Sequence, residues 1–126
     1  MAGLSAADKA AILNAHLRGG TYTGEATLYI GLHTGDPGVY GLANELAYAG
    51  YVRQAITFLA ADATGSYNDT EIVFPAPTTN QGTISHYSIH SASTGGAFRH
   101  AGTLTGDTLD ASGVPTIAAV ALLVTL

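Results

Sequence analysis

His33, Thr34 and Asp36 fall within five residues, "HTGDP" at 33–37, directly after an alternating apolar run. A hydroxyl, a histidine and an acid brought together are the set that nucleophilic hydrolysis uses. The chain also carries five histidines, enough to ask about a metal, and nine acids, of which a glycosidase would need two facing across a cleft.

None of these chemistries finds its pattern. The nucleophile elbow G-x-S-x-G is absent. The nearest stretch, "GLSAA" at 3–7, has Ala7 in place of the second glycine and no strand before it, and Ser5 reads as a helix N-cap. Asp36, Asp62, Asp69, Asp107 and Asp110 all fall in predicted turns, where aspartate serves local hydrogen bonds. His86 and His90 share one strand face, yet four residues of extended chain separate them by about 13 Å, too far for one metal. His100 on the neighbouring strand would lie opposite one of them, a two-ligand site at best, unless a symmetric oligomer gathered a histidine ring. No cysteine is present for a thiolate or a zinc–sulfur site. The glycines follow no phosphate-loop or dinucleotide spacing. The sequence therefore assigns no catalytic residue, no cofactor and no metal, and the chain is expected not to be an enzyme.

The elements that would position these residues are mainly β. "LSAADKAAILNAHLRGG" reads as one amphipathic helix over about 5–18, with Ser5 as N-cap answered by Asp8 and Gly19–Gly20 as the left-handed stop. Ile12, Leu13, His16 and Leu17 give it a stickier side. From Gly20 onward the period falls to two. "ATLYIGLH" (26–33) points Leu28, Ile30 and Leu32 inward, which sends His33 outward. "YVRQAITF" (51–58) sets Val52, Ile56 and Phe58 against Arg53 and Thr57. "EIVF" (71–74) is stopped by Pro75. "TISHYSIH" (83–90) and "AFRHAGTLT" (97–105) flank the compact loop "SASTGG" as a hairpin. "VPTIAAV" and "ALLVTL" close the chain as one long or two short strands. One domain, 1–126, is expected, with a β-sandwich or jelly-roll-like barrel over 22–126. The longest irregular stretch, 34–50, is the leading interface loop. Its tyrosines Tyr40 and Tyr48, with adjoining Tyr51, are the candidate interface residues together with Ile12 and Leu13 on the helix.

Composition narrows the partners. Globular domains are about one quarter charged, whereas charged residues make up 10 % of this chain, with a net charge of −5. No basic run offers the footprint of nucleic-acid binding or of an anionic membrane surface. A surface of Gly, Ala, Ser and Thr suits a subunit set against neighbours. No basic segment leads into an apolar stretch as in a signal peptide, and "IAAVALLV" (117–124) is far below the ~20 residues that span a bilayer. A soluble, unexported chain is expected.

The order of elements, a "LSAADKAAILNAHLRGG" helix, "ATLYIGLHTGDP", "YVRQAITF", "IVFPAPTTNQGTISHYSIHSASTGGAF" and "AGTLTGDTLDASGVPTIAAVALLVTL", resembles a family of small structural proteins of tailed bacteriophages and prophages. They are commonly labelled tail-fibre or minor tail proteins, and the resemblance runs over essentially the whole chain. It implies a non-enzymatic virion protein on the outer surface of capsid or tail, assembled in the host cytoplasm. Compactness and the lack of fibrous repeats favour a capsid decoration or cement subunit, a homotrimer clamping the major capsid protein lattice. The alternative is a tail-fibre or minor tail protein with a glycan-binding surface. Burial of weakly charged surface predicts attachment that tolerates high salt and varies little with pH near neutrality. The histidines are the groups most able to break that expectation.

Overall fold

The computed structural model describes residues 3–109 and 114–125. Among these residues the fold is mainly β with a single helix, α1 (Ala6–Arg18). Its start is the expected one: Ser5 Oγ accepts the Asp8 N–H at 3.2 Å and its hydroxyl donates to the Asp8 carboxylate at 3.0 Å. Gly19, at φ 68°, ends the helix in the left-handed region.

Five strands make one antiparallel sheet: β1 (Gly3–Leu4), β2 (Leu28–His33), β3 (Gln54–Ile56), β6 (Gly82–His90) and β7 (Phe98–Leu109). Their order is β1-β7-β6-β2-β3, with β6 and β7 as the expected hairpin. β1 and β3 stand at opposite edges, so the sheet does not close and no barrel forms. Two short ribbons complete the strands: β4 (Ser66–Tyr67) with β9 (Leu123–Val124), and β5 (Ile72–Val73) with β8 (Thr116–Ile117). One sheet face supplies Ile30, Leu32, Ile56, Tyr87 and Ile89 to the core, which Ile72, Phe74 and Leu122 complete from the ribbon side. Burying each such side chain contributes about 1.5–3 kcal/mol.

Asn68 ties the ribbons together. It is fully buried, and its amide donates to the carbonyls of Thr70 at 2.9 Å and Ala118 at 3.0 Å. Its Oδ1 accepts the N–H groups of Ala121 at 3.1 Å and Leu122 at 2.9 Å. All four side-chain hydrogen-bonding positions are thereby used.

Several expectations are corrected. β1 and β4 carry no period because they are two residues long, and the sequence hid them. Of 51–58 only β3 is strand, and Val52 is solvent-exposed rather than aligned with Ile56 in the core. Asp107 lies in β7 opposite Ile84 rather than in a turn, whereas Asp110 falls outside the described residues. The helix's buried side chain is Asp8, held by Arg99 at 2.9 Å, while Leu13 and Leu17 point to solvent. Among the described residues no helix is long and apolar enough to cross a membrane.

Candidate functional site

The strand that ends at "HTGDP" is covered on both faces. Thr34–Pro37 turns the chain as its residue types require, with the Gly38 N–H on Asp36 Oδ1 at 2.8 Å. The loop then doubles back. Thr34 N–H donates to Asn44 O at 3.0 Å, Leu46 N–H donates to Leu32 O at 3.0 Å, and Glu45 bridges opposite His33. This return lays the loop over the second face of β2, so His33, expected outward, is fully buried. Small residues make the close approach feasible. A Cβ added at Gly31 would come within 3.1–3.3 Å of Tyr51 Oη, Glu45 Oε1 and Ser88 Oγ.

Under the loop lies a polar cluster. His33 Nδ1 is 2.7 Å from Ala43 O, and its Nε2 is 2.7 Å from Ser88 Oγ. Ser88 Oγ is 3.0 Å from His90 Nε2, which is also 3.1 Å from Gly41 O. Carbonyls only accept, so neutral rings have one consistent arrangement. His90 Nε2–H donates to Gly41 O and Ser88 Oγ, the Ser88 hydroxyl donates to His33 Nε2, and His33 Nδ1–H donates to Ala43 O. Burial pushes both histidines below the ordinary imidazole value, which favours this uncharged state. Beside them Glu45 receives Arg53 on both oxygens, with Nε–Oε1 and Nη2–Oε2 at 2.9 Å. Arg53 Nη1 also donates to Ala92 O at 3.2 Å and Gly95 O at 2.9 Å in the β6–β7 turn. Arg53 is thus the hub joining loop, sheet edge and hairpin tip.

A serine 2.7 Å from an imidazole whose other nitrogen is oriented has the spacing of a nucleophile and its base. Ser88 and His33 are nevertheless both fully buried, and the orienting group is a backbone carbonyl rather than an acid. With no access for a substrate, the cluster fastens the loop. The other histidines are placed separately. His100 pairs with Ile89 rather than with His86 or His90, faces the core and stacks on Tyr87. Among the described residues no three His, Asp or Glu side chains gather as a metal would require.

The interface candidates divide. Tyr48 and Tyr51 turn inward: Tyr48 donates to Pro75 O, while Tyr51 accepts the Leu32 N–H at 3.0 Å and stacks on Phe74. Desolvation and the Glu45 charge push the Tyr51 phenol well above its ordinary value, so it stays protonated and able to donate to Glu45. Tyr40 is 76 % exposed at the loop tip, beside exposed Val39 and Leu42. On α1, Ile12 is half-buried, whereas Leu13 is exposed and Leu17 is 71 % exposed. Ala6, Ala10, Leu13 and Leu17, spaced four, three and four residues apart, form the helix's outer apolar stripe. Between this helical arm and the sheet lies an apolar cleft of about 320 Å³, floored by Leu28, Phe58, Ile89 and Val124. Ser88 and Glu45 carry no signal in the sequence, and His90 and Arg53 read there only as strand-face residues, because only the fold-back of the loop brings the four together.

The geometry thus offers a sealed polar fastening and two exposed apolar segments. No curated protein matches the chain. The family model described as podophage GP4 fiber I protein gp80 matches residues 3–125, nearly the entire length, and the chain belongs to this family of phage fibre proteins.

Proposed function

We propose that the protein is a non-enzymatic structural subunit of a phage fibre, joined to itself and to other virion proteins through apolar surface. The observation that carries this reading is that exposed apolar side chains cluster on α1 and on the loop, besides others scattered singly, such as Val52, Leu59 and Val73. Leu13 and Leu17 on α1, and Val39, Tyr40 and Leu42 on the loop, gather on two surface segments of a chain with few charges. The family's fibre description weighs for the tail over the capsid decoration role that compactness favoured. The subunit assembles in the host cytoplasm as a homotrimer, with Leu13 and Leu17 in the subunit contact and half-buried Ile12 behind them. Tyr48 and Tyr51 are engaged within the fold, so of the three loop tyrosines Tyr40 remains for a glycan-binding face, and assembly is the better supported use of this loop.

Gold-labelled antibody on intact particles tests the placement. Label over tail appendages is expected, and label over the head would restore the decoration reading. Leu13→Glu with Leu17→Glu is expected to reduce the light-scattering mass from three chains to one without lowering the thermal midpoint. An unchanged mass would remove α1 from the subunit contact.

A further inference from the structure

We propose that residues 38–43 of the loop form an acid-released latch: His33 and His90, acting through Ser88, hold the backbone of this stretch on the sheet while uncharged, and their protonation frees it while the sheet and residues 44–48 stay in place. The device is independent of where the subunit sits in the virion.

The directed chain of donors carries the argument. It needs an acceptor at His33 Nε2, because the Ser88 hydroxyl donates there. Protonation turns that acceptor into a second donor aimed at Ser88 Oγ, which already receives His90 Nε2–H, and the serine proton then has no acceptor in the chain. His90 is less tolerant still. Its Nδ1 is buried and meets no hydrogen-bond partner among the described residues, so an added proton there would be an unsatisfied buried donor on a cation. The tilted Phe98 ring, 5.6 Å away centroid to centroid, offers it no acceptor oxygen.

Every charged neighbour bears on the sign. Glu45, on the loop, attracts a protonated ring, but both its oxygens are engaged by Arg53, whose own charge repels it. His86 on β6, paired opposite His33, adds a further repulsion if it is charged. Desolvation is the largest influence on both rings and lowers both. The closed loop therefore binds fewer protons than the open one. Its stability is full above the free imidazole value of about 6.5 and is lost as pH falls through and below that value.

Residues 38–43 yield before the sheet and before 44–48, which the Leu46 N–H to Leu32 O bond, the Glu45–Arg53 pair and the Tyr48 bond to Pro75 O keep in place. His33 and His90 themselves lie in the β2–β6 ladder, whose backbone bonds do not titrate. The stretch 38–43 rests on the two histidine contacts plus local bonds such as Ala43 N–H to Pro37 O. What is freed is the segment bearing Val39, Tyr40 and Leu42, so acid changes how that apolar surface is presented.

Hydrogen–deuterium exchange of the intact chain at pH 7.5 and 5.0, corrected for intrinsic rates, tests the latch. Exchange over 38–43 is expected to rise about 30-fold for each histidine that stays neutral when closed. The amides of β2 and β6 are expected to change by less than about threefold. Equal change in loop and sheet, or none in the loop, overturns the proposal. His90→Phe keeps a ring against Phe98 but cannot titrate, and it is expected to remove one histidine's share of the step. A step of undiminished size in that variant also overturns it.

Discussion

Replacing Asn68 with aspartate is expected to cost about 4 kcal/mol, a large share of a typical domain's stability of about 5–15 kcal/mol. The side chain keeps its size and loses its two donors, so the carbonyls of Thr70 and Ala118 face a carboxylate oxygen instead of an N–H. Each unsatisfied buried group costs about 1–3 kcal/mol, and a buried charge adds to that. The bonds from Ala121 and Leu122 remain available and limit the damage. Urea unfolding followed by circular dichroism reads the effect. A loss below about 1 kcal/mol would mean that Asn68 does not hold residues 118–122 against the rest.

Arg53→Met follows, at about 3–5 kcal/mol. The guanidinium is almost fully buried, and its removal strands the Glu45 carboxylate and leaves the Ala92 and Gly95 carbonyls short of a donor. The cost belongs to the stranded charge more than to the pair itself. Arg53→Met combined with Glu45→Leu is therefore expected to recover more than half of the loss. Denaturant midpoints for the two single variants and the double variant close the cycle, and additive losses would refute the coupling.

The helix was legible because its signals are local: Ser5, Asp8 and Gly19 act within one turn of the backbone they cap. The β6–β7 hairpin was legible for the same reason, since Gly95 and Gly96 take the positive φ that the turn needs. His33 was misplaced because strict alternation assumes that one face meets water. Here the second face meets the returning loop, and Gly31 in mid-strand was the one local sign of a close backbone approach. The Glu45–Arg53 pair was hidden by the same non-local event. Among the tyrosines, type alone could not separate the exposed Tyr40 from Tyr51, whose hydroxyl takes an N–H left free where β3 ends. The expectation of weak pH dependence concerned attachment and rested on the lack of a charge cluster to drive it, with the histidines as the groups able to break it. Three of the five are buried, each lowered by desolvation.

The pairings of β1 with β7 and of β4 with β9 also set the order in which the protein can form. Gly3 lies opposite Ala101, and Ser66 lies opposite Val124. Such contacts reward the chain only after long loops have closed, which places folding in the slow, millisecond-to-second range of β-rich domains. During synthesis the β2–β6–β7 sheet can assemble as soon as β7 emerges, while Ile72 and the Asn68 amide wait for residues 116–122. For that interval the nascent chain presents an uncovered apolar layer, and chaperone demand should concentrate there.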